Sequence, residues 1–512
     1  MSISGKDSIH GTNPKDSINV TEANTNGDIS KETDAAWNFL DGHHDAVPGE
    51  TVDIAKLRRR IDFRIVPLMF LCYTLQFLDK VILNYAAVMG INKDLHLKGN
   101  DFSNIATFLF VGLLCFEIPN IYLLQVFPAA KWLGINVMLW GIAVACGAAA
   151  TSYRTLLVSR VFLGMFEATI GPSLMLISSQ WYTKSESAPR FSFWYLGLGL
   201  GQILGGVISY AFQHMGPDAR LSGWRTMFLT LGLVTIIVGS LVIIFLPDTP
   251  MKAKWLSDHE KVALLKHVSV NKTGIENRRF RAQEILEALV DPQIYLLLLS
   301  VILLSVSSGV VTTYSSTLIR NLGYDSKEAA LMNTPSGAVS IFFTLLVGYG
   351  IRQASHRWAW IIVCIIPAII GGALMSFLPT TNQSGTLAGI YLVNAVVAPL
   401  AVFYNWTVAN IAGPTKRAFA VAIISGSFSL GNIIGPQTFQ ARDAPNYRPA
   451  KISVMVTQAV CAVTTVLLFL YYVRQNKKRD NSSDSENEDA FMTPEAWVRM
   501  TDKENKKFRY SY

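Results

Sequence analysis

The stretch that decides the fold is IVPLMFLCYTLQFLDKVILNYAAVM, residues 65–89. Its only ionised side chains are Asp79 and Lys80, side by side in an otherwise uncharged run. A helix rises 1.5 Å per residue, so about 20 residues cross the ~30 Å of hydrocarbon in a bilayer. The run is long enough to span, and it carries the charged pair near mid-depth. A charge at that depth costs several kcal/mol and commonly marks the path of a solute or ion.

Eleven further apolar runs follow, near 101–126, 131–150, 155–181, 191–213, 224–247, 291–319, 327–350, 357–378, 385–411, 417–439 and 450–473. The predicted fold class is therefore an all-α membrane protein of twelve transmembrane helices. The chain is 51% apolar and only 16% charged, against roughly 25% charge in soluble domains. A net charge of +8 does not point to nucleic acid, because the basic residues lie between the apolar runs. Cys72, Cys115, Cys146, Cys364 and Cys461 all fall inside those runs, with no CxxC or Cys/His cluster to suggest a disulfide framework, a metal or another cofactor. No nucleophile–base constellation suggests an enzyme. Residues 1–50 are polar, without the charged and apolar regions of a signal peptide, so the first apolar run reads as an internal signal-anchor.

Arg58-Arg59-Arg60, Lys131, Lys184, Arg190, the 252–281 stretch, Arg352, Arg357, Lys416-Arg417 and Lys477-Lys478-Arg479 all fall on one set of connections. The alternate set carries fewer Lys and Arg, so both termini and the central loop are expected in the cytoplasm. The expected organisation is a disordered N-terminal tail (1–60), a six-helix half (61–247), a central loop (248–290), a second half (291–474) and a C-terminal tail (475–512). Gly197, Gly201 and Gly205 in span five correspond to Gly431 and Gly435 in span eleven, each set following a short basic connection. Small residues at four-residue spacing let helices approach closely, and the correspondence suggests a parallel duplication. The stretch DNSSDSENED (480–489) reads as a solvated tail, with Ser482, Ser483 and Ser485 as possible phosphorylation sites.

The intramembrane polar groups carry the functional reading. Neighbouring helical residues point about 100° apart, so Asp79 and Lys80 cannot both face one spot, whereas Arg160 and Glu167 lie two turns apart on one face of span four. Desolvation favours the uncharged form of a carboxylate, which suits reversible protonation, so Asp79 and Glu167 are the expected proton-coupling acids. Lys80 and Arg160 are the expected anion ligands, Arg through a bidentate fork. Static ion pairs locking the helices would leave the same signature. Glu117, ahead of Pro119 in span two, is expected in a gating or structural pair with a base such as Arg190, with Lys416 and Arg417 in the equivalent loop. Asn405, beside Tyr404 and Trp406, is the expected neutral substrate contact; Ser308, Thr312, Tyr314, Asn333 and Asn410 are weaker ones.

These residues also carry a family likeness. FLDKVILNYAAV (77–88), FEIPN (116–120), RVFLGMFEATIGPS (160–173), LPDTP with KWL (246–256), GPTKR (413–417), GNIIGPQTF with DAPNY (431–447) and TDKENKKFRY (501–510) resemble the fungal anion:cation symporter branch of the major facilitator superfamily, which includes allantoate permease. The resemblance covers about residues 55–475 and the C-terminus. It implies proton-coupled uptake of a small organic anion (allantoate or ureidosuccinate, a carboxylate vitamin, a dipeptide) across the plasma membrane by a monomer. In related sugar-acid symporters an acid–base pair in span one and an Arg/Glu pair in span four carry coupling and binding. The positions match Asp79, Lys80, Arg160 and Glu167. The usual basic loop between spans two and three is replaced by LLQVFPAAKWLG (123–134). Lys80 stands where some relatives have Arg and lacks its fork geometry. Span five lacks the Gly-Pro element of antiporters, which favours symport. The competing readings are a transporter-like nutrient sensor and an uncoupled facilitator of the same anions.

Overall fold

The computed structural model describes residues 52–215, 220–269, 281–379, 381–481, 500–505 and 507–512. The N-terminal tail up to residue 51 and the acidic stretch with Ser482, Ser483 and Ser485 lie outside the described residues. Among them there are twelve helical spans and no strand. Spans one to six are Ile54–Val88, Asp101–Val126, Ala129–Ala148, Tyr153–Glu167 continued by Ile170–Trp181, Lys184–Phe212 and Gly223–Phe245. Spans seven to twelve are Pro292–Arg320, Ser326–Met332 continued by Thr334–Gln353, Arg357–Phe377, Gln383–Val393 continued by Val397–Asn410, Pro414–Gln437 and Arg448–Asp480. Two short helices, α1 (Asp258–Ser269) and α2 (Ala282–Leu289), lie in the connection between the halves.

Local chemistry sets the ends and breaks. Span one starts at Ile54, well ahead of the apolar run, because the Asp53 carboxylate accepts from the Ala55 and Lys56 amides at 2.9 and 3.2 Å. That satisfies donors a helix start leaves open. Spans four and ten break at equivalent places, after Glu167 and at Asn394–Val396. In each case a proline four residues on (Pro172, Pro399) withholds an N–H and crowds the carbonyl behind it. The break in span four leaves Glu167 on the last regular turn, beside the central cavity.

The two halves repeat one packing scheme. Span five lies on span one, and span eleven on span seven. A Cβ on Gly201 would stand 3.0 Å from the Thr74 carbonyl oxygen, and one on Gly435 2.5 Å from that of Val306. Gly435→Val is therefore expected to lower stability by about 1–3 kcal/mol through overpacking. Gly348→Ala, where a Cβ meets nothing within 4 Å, is expected to be neutral. Thermal unfolding of the two purified variants in detergent checks the contrast.

Adjacent spans run in opposite directions, so the starts of odd spans and the ends of even spans share one end of the bundle, the tail side. The halves meet most closely at the opposite end. There the Asn84 amide donates to Ser315 Oγ at 2.8 Å and accepts from the Ser316 amide at 2.9 Å. Asn333 joins Tyr85, Ser315 and Ser316. Tyr314 stacks on Phe439 with 4.1 Å between centroids and shares a 2.5 Å hydrogen bond with Ser103. Gln437 donates to Asn104 and Thr107, and Asn100 to Gln440. No ion pair between described residues crosses this seam.

On the tail side each half carries its own charge cluster. Arg190 grips Asp62 through two bonds of 2.6 and 2.5 Å. Glu186 pairs with Arg58 at 2.8 Å and approaches His267 of α1 at 3.0 Å. Burial pushes the Glu186 carboxyl up, but bonds from Arg58, the Thr183 amide and His267 outweigh that and hold it at about 2. Its contribution to stability is thus complete above the ordinary carboxylate range and lost only as pH falls towards 2. In the second half, the fully buried Lys416 ammonium meets Glu287 of α2 at 2.8 Å and Asp291 and Asp502 at 2.7 Å each. Residues 500–512 return to this face. Tyr510 stacks on Tyr472 at 5.0 Å, Asn476 brackets its backbone, and Asn410 and Trp406 hold Ser511.

Candidate functional site

Helical phase collects the site from both halves. Tyr73, Gln76, Phe77 and Lys80 fall on one face of span one, and Phe110, Leu113 and Glu117 on one face of span two. With Glu167, Trp194, Tyr195, Tyr404, Ser425 and Phe428 among its other walls, they enclose a cavity of about 180 Å³ on the tail side of the closed seam. The wall is mostly aromatic and aliphatic, with Ser305, Ser308, Thr312 and Asn432 as neutral polar groups from the second half.

Of the four expected charges, Lys80 and Glu167 line this cavity, while Asp79 and Arg160 lie behind it. Lys80 Nζ lies 2.8 Å from Glu167 Oε1 and sits 6.0 and 5.7 Å from the ring centroids of Phe110 and Phe428. Arg160 turns away from its own helix-mate Glu167. Its Nη1 donates to the Asp79 carbonyl oxygen at 3.3 Å, and its guanidinium covers the Phe228 ring at 5.0 Å. Asp79 is completely buried and Arg160 2% exposed, yet both Asp79 carboxylate oxygens and Arg160 Nε and Nη2 have no hydrogen-bond partner among the described residues. Each base of one span thus answers the other span: Lys80 faces the main cavity, and Arg160 reaches only a small recess behind it, shared with Lys80, Leu83 and Thr313.

Two expected contacts are not formed. Glu117 does not pair with Arg190, whose guanidinium is taken by Asp62 and stacked over Tyr182 at 4.1 Å. Glu117 instead lines the cavity against Ser425, which Tyr404 also approaches. Asn405 does not reach the cavity. It is exposed, and its Oδ1 accepts from Arg357 Nε at 2.9 Å. Tyr404, one residue back and about 100° round the helix, takes the place expected of it. Among the weaker candidates, Ser308 and Thr312 line the cavity, Tyr314 and Asn333 belong to the closed seam, and Asn410 binds Ser511. Of the loop bases, Lys416 ties α2, span seven and the C-terminal segment together, and Arg417 Nε donates to the Ile411 carbonyl at 2.8 Å. Glu287, Asp291 and Asp502 stand close enough for a metal ion, but the Lys416 ammonium occupies their centre. Sequence reasoning missed Tyr73, Tyr195 and the cavity position of Glu117. The spacing of Tyr73 to Lys80, and of Phe110 to Glu117, was the signal available for two of them.

Residues 69–436 match the Major Facilitator Superfamily. The chain belongs to this superfamily. The transporter is 36% identical over 508 residues to the thiamine pathway transporter THI73 of Saccharomyces cerevisiae, covering 97% of this chain and 95% of that one. It is 32% identical over 469 residues to allantoate permease of the same yeast, covering 89% and 86%. These relatives set it in the fungal allantoate-permease-like branch, among transporters and not enzymes. Among solved structures it is similar to the inward-open xylose transporter XylE from E. coli, with a TM-score of 0.62, 16% identity and coverage of 80% and 95%. A bacterial homologue of the lysosomal transporter Spinster, inward-facing and occupied, gives 0.60 at 16% identity, with coverage of 80% and 97%. At that identity the likeness is one of fold: two six-helix halves around a central cavity.

Proposed function

We propose that the transporter is a proton-coupled symporter that carries a small organic anion inward by alternating access. The observation that carries this reading is the 2.8 Å ion pair between Lys80 and Glu167 on the cavity wall. While Glu167 is ionised it holds the Lys80 ammonium on the cavity wall. A proton on Glu167 removes that partner and frees the Lys80 ammonium to meet a substrate carboxylate. Proton and anion therefore favour each other's binding, as linkage requires of a symporter. Behind it, the Arg160 guanidinium joins span four to span one through the Asp79 backbone carbonyl, which sets the Asp79 carboxyl near Glu167; nearby acids titrate as a set and not singly.

The closed seam and the tail-side cavity correspond to an inward-facing state, with both termini cytoplasmic and the protein acting as a monomer in the plasma membrane. Relatives named for allantoate and for the thiamine pathway support a nutrient-sized solute such as a ureide, a carboxylate vitamin or a dipeptide.

Purified protein in proteoliposomes, with the membrane potential clamped at zero, tests the proposal on a labelled panel of those classes. At least one compound is expected to accumulate above its external concentration when the outside is acid, and only to equilibrate when the gradient is absent. Uptake that merely equilibrates in both conditions would establish the uncoupled facilitator instead.

A further inference from the structure

The cavity carries a second charge that anion recognition does not use. Glu117 lines it without a cationic partner among the described residues. With Glu167 opposite one ammonium, the lining has two carboxylates against a single Lys80, so it is one unit negative when all three are ionised. A plain anion is poorly matched to that balance, even after Glu167 takes a proton, because Glu117 remains.

The cavity wall that holds Glu117 is aromatic. Tyr404 approaches the same Ser425 as the carboxylate, and Tyr73, Tyr195 and Tyr404 lie close to one another. The rings of Tyr73 and Tyr195 are 6.1 Å apart, and Phe191 extends the wall 6.1 Å beyond Tyr195. Aromatic rings that share a cavity wall with an acid attract ammonium groups through the ring quadrupole as well as the charge. The Tyr195 hydroxyl donates to the Val397 carbonyl at 2.8 Å, which fixes this wall across the two halves.

We infer that the substrate is zwitterionic: its acid group meets Lys80, and a positively charged nitrogen sits between Glu117 and the tyrosines. This rests on the cavity being the substrate site proposed above. The geometry also gives a size. The Lys80 ammonium sits 6.0 Å from the Phe110 ring centroid, and Glu117 follows Phe110 by seven residues, a rise of roughly 10 Å along the same helix. Allowing a charge-assisted hydrogen bond at each end, the two charges of the ligand stand roughly 5 Å apart. A zwitterion of that length leaves the cavity with the charge it had when empty, and its protonated nitrogen compensates Glu117.

Binding to purified protein in nanodiscs tests this, followed through the fluorescence of Trp194 and the other tryptophans, with no gradient imposed. A failure of proton coupling therefore leaves the outcome intact. The probes are 4-aminobutyrate, its trimethylammonium analogue and butyrate, each at up to millimolar concentrations. Both zwitterions are expected to bind at least about tenfold more tightly than butyrate, a difference of ~1.4 kcal/mol. Glu117→Gln is expected to bring that ratio close to one, and Glu117→Asp to retain most of it, with unfolding temperatures measured for both variants. The inference is overturned if butyrate binds wild-type protein as tightly as the zwitterions, if none of the three binds, or if the preference survives in Glu117→Gln.

Discussion

Glu167→Gln is expected to abolish accumulation while leaving exchange of solute across the membrane intact. A proton moving down one pH unit releases ~1.4 kcal/mol, enough to sustain about a tenfold solute gradient per coupled proton. With glutamine in place of Glu167, Lys80 loses its charged partner permanently, and the site remains in the state that protonation produces transiently. Solute can then enter and leave, but its passage no longer moves a proton, so the accumulation ratio falls to about one in the clamped proteoliposomes. Counterflow of labelled against unlabelled solute is expected to continue. Asp79→Asn separates the two acids. If it also abolishes accumulation, the acids act together. If it alone does so and Glu167→Gln still concentrates solute, coupling belongs to Asp79 and the Lys80–Glu167 pair is a helix lock. Unchanged pH-dependent accumulation in both variants overturns the coupling assignment.

Lys416→Met is expected to cost about 3–5 kcal/mol of stability, because it leaves buried carboxylates without their counter-charge. Asp291 and Asp502 are both fully buried and each lies 2.7 Å from the ammonium, with Glu287 at 2.8 Å. Gln293 and Tyr510 donate to Asp502, and Gln293 to Asp291; the half-exposed Lys503 ammonium stands 3.7 Å from Asp291, but neutral donors do not cancel the charge of Asp502. The expected result is a large fall in unfolding temperature and loose packing of residues 500–512, read by limited proteolysis. Adding Asp291→Asn and Asp502→Asn to Lys416→Met is expected to recover part of the loss. An unchanged unfolding temperature in the single variant would show that the cluster is already neutralised by protonation.

Much of this architecture is legible in the sequence, because hydrocarbon thickness dictates span length and apolar runs of that length are unambiguous. The depth of Asp79, Lys80, Arg160 and Glu167 is legible for the same reason. Their pairing is not. Helical phase puts Arg160 and Glu167 on one face, but the rotation of span one against span four decides that Lys80 takes Glu167 while Arg160 binds the Asp79 backbone. Glu117 lies towards the tail-side end of span two, which makes a loop base such as Arg190 its expected partner. Asp62, remote in sequence, wins that guanidinium by meeting both of its donors. Asn405 shows how narrow the margin is, since one residue separates a wall of the cavity, Tyr404, from a side chain hydrogen-bonded to Arg357 outside it. The motif TDKENKKFRY is plain in the sequence, but its docking on spans seven, ten, eleven and twelve depends on side chains that converge only in three dimensions.

The seam on the side away from the tails is held mainly by amides, hydroxyls and stacked rings, with Asn84, Asn333 and Tyr314 at its centre, and by one cationic donor, Arg320, to the Ala87 carbonyl at 3.3 Å. Salt screens exposed ion pairs over a Debye length of about 8–10 Å at physiological strength, but it has little purchase on neutral hydrogen bonds. The two faces of the molecule therefore differ in what can unsettle them. A rise in ionic strength on the seam side leaves that closure largely unmoved, whereas the ion pairs of the tail-side face weaken as salt rises.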